Sequence, residues 1–181
     1  MGKQFASITP KLATFIAEQK MFFVGTAMPE GRVNISPKGM DSFRVINGNQ
    51  VVWQNLTGSG NETATHLRTS PRMTIMFAAF EGNPMILRLY GTAKVYHPRD
   101  KSFEKWATLF PANAGSRQFI EMEVDLVQTS CGYAVPLMDF KEDRHLLTDW
   151  TGRKGEEGVK AYWEKKNTVS IDGHNTHILE D

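Results

Sequence analysis

Cysteine is nearly absent from this chain, with Cys131 the only one among its 181 residues. A single thiol excludes an internal disulfide and a four-cysteine zinc site. The chain also lacks any apolar run near the roughly 20 residues that span a bilayer. Its first residues lack the charged-then-apolar pattern of a signal peptide. We therefore expect a cytoplasmic protein that does not bind membranes.

Neither sign of charge is in excess. The 21 Lys and Arg residues nearly cancel the 20 Asp and Glu residues, so binding to nucleic acid gains no support. Hydrophobic residues make up 40% of the chain and charged residues 23%, which is normal for a globular protein. The length is that of one ordinary domain, and we predict a single domain over residues 1–181.

Alternating apolar and polar residues, separated by tight turns, dominate the chain up to about residue 130. Helices are predicted where apolar residues recur every three or four places. The predicted strands cover 21–27, 32–36, 42–46, 51–56, 73–80, 85–96 and 119–129, and the predicted helices cover 10–20, 62–69, 98–110 and 156–166. We therefore predict a mainly β (α+β) fold built on an antiparallel barrel or sandwich, with a charged, helical C-terminal segment from about residue 140.

A glycine-rich loop, Thr57-Gly-Ser-Gly-Asn61, joins a predicted strand to a predicted helix. Glycines let backbone N–H groups approach a ligand, and the start of a helix offers unpaired donors and partial positive charge. Thr57, Ser59, Asn61 and Thr63 add side-chain donors. The loop can therefore hold an anion such as a phosphate. The alternative is an ordinary loop in which Ser59 or Asn61 caps the helix.

Two known nucleotide-binding motifs are compared with the sequence of this loop. The pattern Gly-x-x-x-x-Gly-Lys-[Ser/Thr] is absent, so the loop is not a Walker loop. Gly58-x-Gly60-x-x-Thr63 resembles a dinucleotide fingerprint without its third glycine, and Glu81 lies about 20 residues further on, where a ribose-binding acid is expected. The neighbouring strands, however, are linked by hairpins rather than helices. This connectivity disfavours a Rossmann fold.

A second polar surface is predicted on the strand around residues 32–36 and its continuation. Asn34, Ser36 and Lys38 share one face at a period of two, and Pro37 indicates an edge or the end of strand pairing. An amide, a hydroxyl and an ammonium on one face suit a phosphate or the edge of a flavin ring. The alternative is a solvent-facing strand that ends in a turn.

These two segments, together with three others, carry a resemblance to a known family. The chain resembles the pyridoxamine 5′-phosphate oxidase-like, FMN-binding split-barrel proteins from about residue 15 to 172. The matching segments are Asn34–Gly39, Val52–Asn55 with the Gly-Ser-Gly-Asn loop, Arg72–Phe77, Leu89–Ala93 and Thr129–Pro136. The motifs are short, so the resemblance depends on their order and spacing.

The resemblance implies a split antiparallel β-barrel with peripheral helices. It also implies a homodimer with FMN bound at the subunit interface. An apolar surface too large for one chain to cover is consistent with a dimer. The cofactor-binding residues that it implies are Asn34, Ser36 and Lys38 near the phosphate or ring, Ser59, Asn61 and Thr63 in the phosphate cradle, and Trp53, Gln54 and Asn55 along the isoalloxazine. Arg88 is a further candidate for the same cleft.

The expected activity is that of a flavin-dependent oxidoreductase acting on an unknown small molecule. The chain lacks a C-terminal segment rich in Trp, Arg and His that would hold pyridoxamine phosphate, which indicates a branch of the family other than the true oxidase. The alternative is a non-catalytic flavin- or haem-binding module for storage, sensing or delivery. A deazaflavin is a third possibility within the same fold.

The remaining candidates are isolated residues. Cys131 is either a redox thiol or, more commonly, a small core residue. Tyr133 and His66 are the candidates for an acid or base, although a histidine placed like His66 is usually exposed. His174 and His177 have helix-like metal spacing but lie in what we expect to be a solvated tail. We therefore predict no metal site and assign no catalytic residue.

Overall fold

The computed structural model describes residues 2–180. The strands are β1 (Lys3–Phe5), β2 (Met21–Thr26), β3 (Asn34–Gly39), β4 (Phe43–Asn47), β5 (Gln50–Leu56), β6 (Arg72–Ala78), β7 (Ile86–Tyr96) and β8 (Ser116–Ser130). The helices are α1 (Pro10–Glu18), α2 (Glu62–Thr69), α3 (Phe103–Ala107) and α4 (Leu146–Lys166). The predicted predominance of strands is confirmed.

All eight strands belong to one antiparallel sheet with the order β3-β2-β6-β7-β8-β5-β4, and β1 pairs with β8. The sheet curls into a half-barrel, because side chains from the two ends of this order meet. The rings of Phe22 on β2 and Phe43 on β4 are 4.9 Å apart, and Lys38 on β3 donates to Asn55 on β5. The curl therefore brings together polar residues from strands that do not pair.

Local sequence explains where several elements begin and end. The Thr9 hydroxyl accepts a hydrogen bond from the Leu12 N–H, and Pro10 occupies the first turn of α1, where a missing N–H costs least. Along β2, buried and half-buried residues alternate strictly, as expected for a strand with one face on the core. Pro37 lies on β3, an end strand of the sheet, which agrees with its predicted edge position.

The inner face of the sheet forms the main core, which contains Val24, Trp53, Ile75, Leu89 and Met122, each fully shielded from solvent. A second cluster lies on the other face of β5 and β8, where α3 packs. It contains Val52, Trp106, Phe110 and Phe119, with Phe103 packed against it. The aromatic residues of the helix predicted over 98–110 therefore serve packing.

The C-terminal segment differs most from expectation. The helix predicted over 156–166 is the second half of α4, which begins ten residues earlier and contains a break at Gly155, where φ is +64°. Only Gly adopts this backbone conformation readily, so α4 comprises two helical pieces. The tail beyond α4 is packed rather than solvated, since Asn167, Thr176 and Ile178 are buried. Among residues 2–180, no helix is both long and apolar enough to cross a bilayer.

Candidate functional site

A pocket of about 500 Å³ opens between β3, the end of β5, the start of α2 and the residues that follow α4. Six of the nine predicted cofactor-binding residues line it, namely Asn34, Ser36, Lys38, Asn55, Ser59 and Thr63. The two segments singled out in the sequence, one on β3 and one in the glycine loop, therefore face one cavity. Residues lining it that the sequence did not indicate include Arg117, Lys166 and Ser170.

The polar face of β3 is connected by side-chain hydrogen bonds to the walls of this pocket. The Ser36 hydroxyl donates to Asn34 Oδ1, and Asn34 Nδ2 donates to Thr63 Oγ1, each at 3.2 Å. Further along, Lys38 Nζ donates to Asn55 Oδ1 at 3.4 Å, and Asn55 Nδ2 donates to Gln118 at 2.9 Å. The alternative of a merely solvent-facing strand is therefore wrong for this face.

The glycine loop is stabilised by hydrogen bonds to other parts of the chain rather than by a capping hydrogen bond at the start of α2. The Thr57 N–H donates to the Gly115 carbonyl at 2.7 Å, and Asn167 Nδ2 donates to the Gly58 carbonyl at 3.1 Å. Asn61 occupies the N-cap position of α2 but makes no capping hydrogen bond, and both polar atoms of its buried amide lack a partner. The interpretation of Asn61 as an ordinary helix cap is therefore wrong.

Two cations meet in the pocket without an anionic partner. Arg117 is only 2% exposed, and its Nη1 donates to the Gly60 carbonyl at 2.8 Å and to Asn167 Oδ1 at 2.7 Å. Its Nε is buried without a partner. The three ion pairs formed within residues 2–180 involve neither Arg117 nor Lys38. Buried cations normally form ion pairs. Because Lys38 and Arg117 form none, their positive charge is available for an anion.

Burial perturbs both cations. Burial, with a further contribution from the nearby Arg117 guanidinium, lowers the pKa of Lys38 to about 8. Burial lowers the pKa of Arg117 to about 10. The Lys38 ammonium also lies 5.1 Å from the centre of the Trp53 ring. An anion in the pocket would offset the desolvation and the mutual repulsion that lower these pKa values.

The other three predicted cofactor-binding residues do not line the pocket. Trp53 lies beneath Lys38 in the core and has no exposed surface. Gln54 follows it on β5 and so points to the opposite face of the sheet. Asn61 is 1% exposed behind the glycine loop. Trp53 nevertheless contacts a pocket residue through its ring, over which the Lys38 ammonium lies.

Comparison with known proteins identifies the family of this chain. The model of the pyridoxamine 5′-phosphate oxidase family matches residues 8–131, a span that includes β3, the glycine loop and Arg117. The chain belongs to the pyridoxamine 5′-phosphate oxidase family. A curated member, the pyridoxamine 5′-phosphate oxidase family protein ustO of Aspergillus flavus, is 36% identical over 189 residues, which cover 93% of this chain and 75% of that protein. The resemblance to a branch of this family other than the true oxidase is confirmed.

Solved structures confirm the family's split-barrel fold for this chain. A crystal structure of a HupZ variant from Group A Streptococcus has a TM-score of 0.55 and 21% identity, and it covers 68% of this chain and 99% of that one. A second HupZ structure from the same organism has a TM-score of 0.52 and 22% identity. The match covers 66% of this chain and 91% of that one. At this identity the likeness establishes the fold alone.

Several residues proposed for the family's cofactor cleft lie elsewhere. Arg88 lines a different groove, on the outer face of the sheet, and donates to Ser130 at 3.2 Å. Tyr133 is 84% exposed outside the pocket. His66 is buried rather than exposed, with its Nδ1 3.1 Å from the Thr26 hydroxyl. Cys131 is exposed, so its interpretation as a core residue is wrong.

Arg117 is the main pocket residue that sequence reasoning missed. It occupies the second position of β8, far along the chain from the glycine loop. No local motif surrounds it, and its position follows only from the pairing of Asn55 with Gln118 across β5 and β8. Arg117 lies two residues before the predicted strand over 119–129, and only its place next to the buried start of β8 distinguishes it from an ordinary surface arginine.

Proposed function

We propose that this protein binds FMN through its phosphate in the pocket of Lys38 and Arg117, and that it acts as a flavin-dependent oxidoreductase on an unknown small molecule. The observation that carries the proposal is that the buried Arg117 and the half-buried Lys38, neither of which forms an ion pair, line one pocket beside a glycine loop and the start of α2. A phosphate monoester carries close to two negative charges at neutral pH, which matches the lining, where Lys38, Arg117 and Lys166 stand against the single carboxylate of Glu62.

The residues present fit such a group. Lys38 and Arg117 would neutralise the phosphate, with the free Arg117 Nε as an unused donor. Ser59 and the backbone of the glycine loop would add neutral donors. Ser36 and Asn34 continue from the cations along β3, which provides hydrogen-bonding groups for the rest of the flavin. Trp53 supports the Lys38 stem from below.

A bound flavin would supply hydride transfer, while the protein would bind and orient it. Within residues 2–180, no histidine, cysteine or tyrosine lines the pocket, and its titratable side chains are Lys38, Glu62, Arg117 and Lys166. The family includes flavin oxidoreductases and non-catalytic members. The alternative proposal is therefore a non-catalytic flavin- or haem-binding module, favoured by the lack of a histidine, which is the side chain most often used for proton transfer.

The visible spectrum of the purified protein tests the cofactor. We expect the two absorption bands of an oxidised flavin, either as purified or after addition of FMN, and mass spectrometry of the denatured supernatant should identify FMN. A sharp Soret band would favour the haem alternative. A colourless protein that takes up no FMN would refute the proposal.

We also propose that the protein is a homodimer with its flavin at the subunit interface. The outer face of β2, β3 and β6 carries an apolar groove lined by Phe23, Val33, Ile35 and Met76. Val33 and Ile35 are each 70% exposed. Ile35 lies on β3 between Asn34 and Ser36, so the apolar groove and the polar face of the pocket lie on opposite sides of the same end strand. A second copy is the common cover for such a surface.

Sedimentation at micromolar concentration tests the dimer. We expect a species of twice the 20.4 kDa chain mass, with FMN shifting the equilibrium further towards the dimer. Ile35→Asp should produce monomers and weaken FMN binding. Ile46→Asp, on the partly exposed β4, is the matched control and should do neither. A monomeric wild-type chain that binds FMN fully would contradict this proposal and leave the cofactor proposal intact.

A further inference from the structure

The residues that follow α4 form a compact structure, Asn167–Ile178, which we call the C-terminal hairpin. Val169 pairs with Asn175 through an isolated antiparallel bridge. The Thr176 N–H donates to the Thr168 carbonyl at 2.9 Å. The turn contains Gly173 with φ +84°, a conformation that favours glycine. These contacts give the hairpin a defined shape.

Four sets of contacts attach the hairpin to the barrel. Asn167, which is fully buried, bonds to Arg117 and to the Gly58 carbonyl. The Ile171 N–H donates to both carboxylate oxygens of Glu62 on α2, at 3.1 and 3.2 Å. The Asp172 carboxylate accepts from the Arg32 backbone N–H at 2.8 Å and from the Arg32 guanidinium. The Arg99 guanidinium donates to the carbonyls of His177 and Ile178.

The hairpin forms a wall of the anion pocket. Val169, Ser170 and Ile171 line the same cavity as Lys38 and Arg117. The family model ends at residue 131, so this wall lies outside the part of the chain that it describes. The Glu62 carboxylate, which also lines the pocket, holds the hairpin through Ile171. The hairpin therefore lies against a negative charge of α2 on this side of the pocket.

We propose that the C-terminal hairpin makes the pocket selective for a terminal phosphate monoester and excludes a diphosphate that continues to a second nucleoside, so that the protein binds FMN and rejects FAD. This inference rests on the proposed function. A monoester places two charges on one phosphorus, beside the two cations. FAD places one charge on each of two phosphorus atoms, and its adenosine must continue past the phosphate. Because Val169, Ser170 and Ile171 wall the pocket, the hairpin would obstruct an adenosine on that side, and Glu62 would repel a second phosphate there.

Fluorescence titration of the full chain with FMN, FAD and riboflavin tests the inference. We expect wild-type protein to bind FMN about 100-fold more tightly than FAD. Deletion of residues 168–181 should reduce the ratio of FMN affinity to FAD affinity at least about tenfold, chiefly because FAD then binds more tightly. Asp172→Ala, which detaches the hairpin from Arg32 without altering the pocket lining, should reduce the ratio by a smaller factor. Asp41→Ala, which breaks a different surface ion pair, is the matched control and should leave the ratio unchanged.

Each outcome has a distinct meaning. Wild-type protein that binds FMN and FAD within about threefold of each other would overturn the inference but keep the proposed function. The inference also fails if the deletion and Asp172→Ala both keep the wild-type ratio. Should the deletion prevent folding, as judged by circular dichroism, Asp172→Ala alone decides. Wild-type protein that binds neither flavin would refute the proposed function, and this inference with it.

Discussion

Replacing Lys38 with methionine removes the ammonium from the anion pocket but keeps an unbranched stem over Trp53. A charge-assisted hydrogen bond to phosphate is worth about 1.5–3 kcal/mol, so FMN should bind roughly 10- to 100-fold more weakly. Riboflavin has no phosphate, and its affinity should change far less. Isothermal titration with both ligands measures the difference, and Lys38→Arg is the control that keeps the charge.

The pH dependence of the same titration follows from the lowered pKa of Lys38, which is about 8 in the free protein. Below that pH the lysine is protonated and ready to bind an anion. At one pH unit above it, about one tenth of the free protein is protonated, so FMN affinity should fall nearly tenfold. The Lys38→Arg variant should remain charged and show a flatter profile.

The stability of the ligand-free protein gives an independent check. The Lys38 ammonium is largely buried without a carboxylate partner, so Lys38→Met should leave the free energy of unfolding unchanged or raise it. This effect should be largest below pH 8, where the native lysine is charged. Equal losses of FMN and riboflavin affinity, or a clear loss of stability, would show that Lys38 has a structural role and refute the reasoning.

Three other substitutions test the structure around the pocket. Arg117→Met leaves the Asn167 and Gly60 oxygens without their donor and should lower the free energy of unfolding by about 1–3 kcal/mol. It should also abolish FMN binding. A urea unfolding curve that matches wild type would contradict this expectation. Trp53→Ala should cost about 3–5 kcal/mol as a core truncation, whereas Trp53→Phe should cost clearly less in the same assay. His97, whose burial lowers its pKa to about 4, binds its proton more readily when unfolded, so stability should fall as the pH drops from 6.5 towards 4. In His97→Gln this part of the acid sensitivity should disappear, and an unchanged pH profile would exclude His97 as its source.

Local sequence patterns determined most of the strands, the short helix α2 and both halves of the candidate site. The alternation of Asn34, Ser36 and Lys38 specified a polar face, because side chains in a strand alternate by geometry alone. The loop from Thr57 to Asn61 was recognisable because glycine and small polar residues, which favour turns and helix starts, cluster there between a strand and a helix. The α2 bounds, Glu62–Thr69, were predicted correctly for the same reason.

Only the tertiary structure decided which of these residues share a cavity. The curl of the sheet brings β3 to β5 although the two strands do not pair, and the register of β5 with β8 places Gln118 against Asn55. The same pairing brings Arg117 to the glycine loop. Burial of Asn167 and Thr176 converts an apparently polar tail into a wall of the pocket. The contacts of Arg117 and Asn167 with each other and with the glycine loop join residues 50 or more positions apart. No periodicity within one segment encodes them, since their energy arises only when the sheet closes.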